Sequence, residues 1–276
     1  MESMILLVDS GATKAEWCVL DGSDVRDRFV TPGLNLSTQT QEATSGILQE
    51  AVTRLKSQGG RIREVHFFGA GLLDGDTSPL QALFPGADIE AASDLLAAAR
   101  AVCGREPGIA CILGTGSNSC LYDGEQIVRN VHPCGFILGD EGSAACLGKR
   151  FLGAFLKGWV PEAVAKAFSA VHEADYQTVV QHVYRGEAPS RYLGSFAPWI
   201  LQWYGGDPWM TKLIEDNLRD FVEGFLRQYD PARYPVGVVG GFGAACEPIL
   251  RALAPDLTFS RFLARPMDGL IAYYSK

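Results

Sequence analysis

The sequence predicts an α/β protein of two domains built to a common plan, and three observations carry that expectation. Apolar runs of strand length alternate with helical periodicity over roughly the first hundred residues. A unit of strand, small-residue loop, strand, Asp-Gly turn and strand occurs twice, at the start and again from residue 109. At 276 residues the chain is too long for one small core and fits two domains of ordinary size around a cleft.

Residues 5–8 form a continuous apolar run, 15–20 a second and 25–30 a third, with Asp21-Gly22 turning between the last two as hairpin chemistry prefers. The period then changes. Ala43, Ile47, Leu48, Ala51, Val52 and Leu55 share one face of a helix over 41–57, which Gly59-Gly60 ends. Residues 65–68 read as a short buried strand, 69–75 as a Gly-rich loop, 88–91 as a strand and 95–102 as an Ala-rich helix opening after Ser93-Asp94. The pattern restarts with strands at 109–113, 119–122 and 126–131, the last two joined by Asp123-Gly124. The later half reads as helical, with amphipathic stretches at 159–184 and 209–229. One more buried strand at 236–239 then runs into a Gly-rich loop and a helix with Pro248 in its first turns. Residues 261–274 read as a helix returning to the first lobe. The expected domains are therefore 1–108, joined by the helix of 261–276, and 109–260 with a helical insertion.

Hydrophobic residues make up 47% and charged residues 20%, the balance of a globular protein. A formal charge of -8 and a pI near 5.1 argue against a nucleic-acid partner, which would need clustered Lys and Arg. The seven cysteines include no C-x-x-C pair and read as reduced thiols. The opening MESMILLVDSG has no positive n-region, and no stretch has the ~20 apolar residues of a spanning helix. A cytoplasmic protein with no membrane partner is the expectation.

Three loops share one form, a buried strand ending in small residues that expose backbone N–H groups, which suits phosphate. They are Asp9-Ser10-Gly11-Ala12-Thr13-Lys14, Gly114-Thr115-Gly116-Ser117-Asn118 and Gly240-Gly241-Phe242-Gly243. In the first, Asp9 is placed to hold the water shell of Mg²⁺ and Thr13 offers a hydroxyl to a phosphate oxygen. None matches G-x-x-x-x-G-K-[ST], and no G-x-G-x-x-G fingerprint occurs. Two acidic positions stand beside these loops. Asp94, between a strand and a helix, suits either a base for a substrate hydroxyl or an N-cap. In the run from Gly135 to Ser143, Glu141 suits a helix cap, and Asp140, preceded by Gly139, suits a ligand contact.

The motifs VDSGATKAEW, ASDLLAAA, LGTGSNS, GFILGDEGSA and VVGGFGAA, in that order over residues 8 to 245, resemble the N-acetylglucosamine kinase branch of the actin-like sugar kinases and ATPases. That branch also holds the acyl-CoA dehydratase activators. The resemblance implies two duplicated actin-like (ribonuclease H-like) domains flanking a nucleotide cleft, with ATP and Mg²⁺ as cofactors and a small-molecule sugar as substrate. A homodimer is compatible with it.

Carried over residue by residue, it implies Asp94 as catalytic base, placed against the hydroxyl at C6 of an amino sugar. Asp9, Gly11, Thr13, Lys14, Thr115, Gly116, Gly240 and Gly241 fall at ATP, with Asp9 also at the metal. Asn35, Asp94, Ser117, Asn118, Gly135, Phe136 and Asp140 fall at the sugar. The chain departs from the branch at Ser10-Gly11-Ala12, where many members have a run of glycines. It departs again at Cys134-Gly135-Phe136, where Gly-Gly-Trp is common. Two alternatives stand beside the kinase: an activator ATPase passing an electron to a dehydratase, and a sugar-binding sensor without catalysis.

Overall fold

A computed structural model describes residues 3–11, 14–34, 41–56, 60–69 and 77–275. The chain divides into two compact units. The first comprises residues 1–107, 122–127 and 265–276, and the second residues 108–121 and 128–264.

The first unit opens with β1 (Ser3–Ser10), β2 (Lys14–Asp21), β3 (Asp24–Pro32), α1 (Gln41–Lys56), β4 (Arg61–Gly69), α2 (Ser78–Leu83), β5 (Asp88–Ser93) and α3 (Asp94–Cys103). Its sheet has the order β3-β2-β1-β4-β5. The first three strands are antiparallel, whereas β1, β4 and β5 run parallel. Leu6, Val8, Trp17, Val65 and Phe67 join Leu48 and Leu55 of α1 in one core, while Ile5 and Leu7, of opposite parity, are buried as well. Burial of both faces is why β1 reads as an unbroken apolar run over residues 4–8.

The second unit follows with β6 (Gly108–Leu113), β7 (Ser117–Tyr122), β8 (Ile127–Asn130), α4 (Gly135–Leu138), α5 (Ala144–Leu156), α6 (Glu162–Ser169), α7 (Tyr176–Tyr184), α8 (Pro189–Gly194), α9 (Ala197–Leu201), α10 (Pro208–Gly224), β9 (Val236–Val239), α11 (Gly241–Ala245), α12 (Glu247–Leu253) and β10 (Phe259–Leu263). The chain ends in α13 (Met267–Tyr274), which packs on α3 and β1 in the first unit. Read from one edge, the second sheet is β8-β7-β6-β9-β10, the same order as β3-β2-β1-β4-β5. The repetition seen in the opening strands therefore extends to all five, and β6, β9 and β10 are parallel like β1, β4 and β5.

Three sequence expectations are corrected. Residues 261–274 are not one helix, because β10 pairs with β9 before α13 begins. Pro266 disfavours helical backbone at Arg265, so no helix runs through that point. The stretch 159–184 breaks into α6 and α7, and Asp175 starts the second by accepting from the N–H groups of Gln177 and Thr178. The third Gly-rich segment is a loop only at Gly240, since α11 begins at Gly241.

A polar cluster joins four elements of the first unit. Arg100 of α3 donates to both carboxylate oxygens of Glu90 on β5 at 2.7 Å and to the Tyr274 hydroxyl of α13 at 2.5 Å. His66 Nδ1 lies 2.8 Å from the same carboxylate. Burial pushes the Glu90 carboxyl up, but the hydrogen bonds from His66 and Arg100 and the Arg100 charge outweigh it and hold the pKa at about 2. Arg100→Met is expected to lower the unfolding free energy by about 2 kcal/mol in urea titration, below the cost of breaking a fully buried pair because Glu90 keeps part of its exposure. Since the folded pKa lies below the unfolded value of 4.5, this contribution is present above that pH and is lost as pH falls towards about 2.

Candidate active site

In the first unit the parallel strands end at one level, with Ser10 in register with Gly69 and Gly69 with Ser93. Asp9 at the end of β1 and Asp94 at the start of α3 thus lie at the carboxyl edge of the sheet, where open α/β sheets bind ligands. Burial pushes the Asp9 carboxyl up to about 7, with repulsion from Asp94 and Glu16 adding and Lys14 opposing. Burial also raises the Asp94 carboxyl, although the backbone N–H of Leu95 partly offsets the shift.

The N-cap of α3 is Ser93, whose hydroxyl accepts from the Leu96 N–H, so the capping alternative for Asp94 does not hold. Asp94 is the first residue of α3, and its carboxylate accepts from the Leu95 N–H. Ser10, one of the departures from the branch, has a structural task. Its hydroxyl donates to the Leu34 carbonyl at 2.7 Å and accepts from the Leu34 N–H at 2.8 Å. Gly11 donates to the Lys14 carbonyl at 3.0 Å, and both residues are exposed. The predicted contacts Thr13 and Asn35 lie outside the described residues.

In the second unit the Gly114 to Asn118 loop rests on the start of α5. The Gly114 and Thr115 carbonyls accept from the N–H groups of Ala144 and Ala145, each at 3.0 Å. The first-turn donors of α5 are therefore spent on the loop. The N–H groups of Thr115 and Gly116 have no partner among the described residues and remain as donors for an anion.

Ser143 caps α5 by accepting from the Cys146 N–H, so Glu141 is not the cap. Asp140 is 8% exposed and sits in the left-handed region at φ 58°. Its N–H donates to the Pro133 carbonyl at 2.8 Å, and its carboxylate accepts a long hydrogen bond of 3.5 Å from the Ser117 N–H. Burial raises the Asp140 carboxyl, Glu141 adds to the rise and Lys149 opposes it. The Ser117 hydroxyl is buried with no partner among the described residues.

Cys134, preceding α4, is a second non-glycine residue at positive φ, 59°. Two such residues flanking one four-residue helix store backbone strain, which concentrates at ligand sites. Gly135 is exposed and Phe136 half-buried, and Lys149 donates to the Phe136 carbonyl at 2.7 Å. Gly240 has φ 125°, and a Cβ there would lie 2.2 Å from the Leu113 carbonyl oxygen, so only glycine lets the third segment approach the second. The structure brings Thr115, Gly116, Ser117, Asp140 and Gly240 together around one loop. The signal that sequence reasoning passed over at Ser93 and Ser143 is the residue type, a favoured N-cap directly before each helix.

No family model and no curated protein matches the chain. Among solved structures, a protein of Porphyromonas gingivalis provisionally named an N-acetylglucosamine kinase is 38% identical, with 98% of each chain covered and a TM-score of 0.92. The chain belongs to the N-acetylglucosamine kinase-like branch of the actin-like sugar kinases and ATPases. A second member with the same provisional name, from Chromobacterium violaceum, is 20% identical with 98% of each chain covered and a TM-score of 0.77. A ROK family glucokinase of Streptomyces griseus, solved with glucose and AMPPNP, is 17% identical. It shares the fold over 99% of this chain and 98% of its own, with a TM-score of 0.53.

Membership of this branch gives the duplicated sheets their meaning as paired actin-like domains. Mg²⁺ fits the carboxyl edge of the first unit. Asp9 is a half-buried carboxylate repelled by Asp94, and a dication would neutralise the charge that desolvation penalises. No helix of the described residues is long and apolar enough to cross a membrane.

Proposed function

We propose that the chain transfers the γ-phosphoryl group of ATP to a hydroxyl of an amino sugar, N-acetylglucosamine or a close analogue, at C6. The observation that carries the reading is the half-buried Asp94 carboxylate, placed at the sheet's carboxyl edge while Ser93 takes the N-cap role of α3. Its raised pKa makes it a stronger base than a surface aspartate.

Asp94 accepts the proton of the sugar hydroxyl as that oxygen attacks phosphorus, and the P–O bond to ADP breaks. Such a transition state asks a protein for positioning and charge neutralisation more than for covalent chemistry. The N–H groups of Thr115 and Gly116 donate to phosphate oxygens, with Gly11, Thr13 and Lys14 assigned to the same nucleotide and Gly240 and Gly241 to its adenosine. Asp9 would hold Mg²⁺, which supplies charge neutralisation on the phosphates. Asn35, Ser117, Asn118 and Asp140 hold the sugar beside Gly135 and Phe136. The buried, unpartnered Ser117 hydroxyl and the Asp140 carboxylate are the kind of groups a polyol satisfies. Cys18, Cys111, Cys120, Cys146 and Cys246 are all buried, which disfavours the activator reading, where cysteines hold a cluster shared between subunits.

A coupled ADP-release assay over free N-acetylglucosamine, glucosamine, N-acetylmuramic acid and glucose tests the reading. One N-acylated sugar is expected to dominate in kcat/KM, and no turnover on any sugar would sink it. Asp140→Asn is expected to raise the sugar KM by about tenfold or more, the worth of a charged hydrogen bond, while the ATP KM stays within about twofold. Equal effects on both would remove Asp140 from the sugar site.

A further inference from the structure

Asn118 is held by its own neighbours in a way that fixes what it offers outward. Its Oδ1 accepts from the Ser119 N–H at 2.9 Å and from Asn130 Nδ2 at 2.9 Å. Asn130 Nδ2 also donates to the Ser119 carbonyl at 2.6 Å. Backbone groups decide both amide orientations. A backbone N–H requires an oxygen at the facing atom of Asn118, and a backbone carbonyl requires a nitrogen at the facing atom of Asn130.

The pair is backed by Tyr229. Its hydroxyl accepts from the Val131 N–H at 2.8 Å and lies 3.0 Å from the Ser119 carbonyl, beside which Asn130 sits. With its oxygen doubly engaged, Asn118 has only its NH₂ to present, and that nitrogen makes no hydrogen bond among the described residues.

We infer that Asn130 is a positioning residue for substrate recognition: it locks the Asn118 carboxamide so that Asn118 acts only as a donor, towards an acceptor oxygen of the sugar. The inference rests on the proposed sugar kinase reading, in which Asn118 touches the sugar. Without Asn130 the carboxamide keeps one of its two inward bonds and is free to turn, so the donor is no longer preorganised. Nothing in the sequence marks Asn130, which lies twelve residues after Asn118 on the neighbouring strand β8.

A double-mutant cycle on the full chain tests this. Asn118→Ala is expected to raise the KM for the sugar that the parent uses best by about tenfold, the equivalent of one lost hydrogen bond. Asn130→Ala should raise it by roughly three- to tenfold, with kcat and the ATP KM within about twofold, a split that loss of folding would not produce. Because Asn130 acts through Asn118, the double variant should be no worse than Asn118→Ala alone.

Asn118→Asp provides a second reading that leaves the fold in place, since a carboxylate oxygen still accepts both inward bonds. It turns an acceptor towards an acceptor, so the sugar KM should rise at least as far as in Asn118→Ala. Additive effects in the cycle, an unchanged sugar KM in Asn130→Ala, or tolerance of Asn118→Asp would each overturn the positioning role. A parent that phosphorylates no sugar would overturn this inference and the kinase reading together. A sugar KM indifferent to Asn118→Ala in an active parent would overturn this inference alone.

Discussion

Asp94→Asn is expected to lower kcat by about 10²- to 10⁴-fold, the range for a positioned base, without lowering the melting temperature. The second half of that expectation follows from Ser93. Because its hydroxyl holds the Leu96 N–H, the start of α3 does not depend on the Asp94 side chain for a cap. The carboxylate is instead a desolvated charge whose ionisation burial disfavours, so replacing it with a neutral amide of the same size removes a cost. Asparagine keeps an oxygen for the Leu95 N–H, the contact that offsets part of that cost. The measurement is steady-state kinetics with the best sugar alongside thermal unfolding of both proteins. Loss of turnover with an equal or higher melting temperature and an unchanged ATP KM identifies the base. Retained phosphorylation would dismiss Asp94 from the chemistry, and a lower melting temperature would show that its charge stabilises the ligand-free fold.

How much of this was legible in the sequence depends on the range of the interaction. β1 was readable because Leu6 and Leu7, on opposite faces, are both buried, which leaves a continuous apolar run in the chain, and β4 because Val65, Phe67 and Phe68 are buried around His66. The duplication was visible in the β1 to β3 and β6 to β8 units. Its extension to β9 and β10 was not, because a long helical insertion separates them from β8, and β10 sets Phe262 and Leu263 three and four residues after Phe259, the spacing of a helix face. Of the site, the glycine loops and carboxylates could be named from local pattern. What fixes their geometry could not. The left-handed backbone at Cys134 and Asp140 depends on the Pro133 carbonyl meeting the Asp140 N–H, and the closeness of Gly240 to Leu113 depends on two strands distant in sequence. The Asn130 to Asn118 bond likewise joins neighbouring strands, and no spacing rule announces it.

Asp9→Asn is expected to act in opposite directions on stability and on catalysis. The folded pKa of about 7 lies above the unfolded value of 3.8, so the ligand-free fold binds this proton more tightly than the unfolded chain does. Stability is then greatest below about pH 4 as far as this group is concerned. It declines as pH rises through about 7, above which the full cost of the buried charge is carried. About three pKa units correspond to at most ~4 kcal/mol, and relaxation around the site lowers the realised figure to about 2 kcal/mol. In thermal unfolding without nucleotide, Asp9→Asn should therefore melt about 5 °C above the parent at pH 8 and close to it at pH 4. Turnover should fall by at least about 100-fold, because the amide cannot replace the carboxylate beside the metal–phosphate charge that a phosphoryl-transfer site must balance. A gain in stability paired with a loss of activity marks a group whose charge is kept for the ligand and not for the fold. If the melting difference is the same at pH 4 and pH 8, Asp9 does not carry the buried charge. If kcat survives, the metal is held elsewhere.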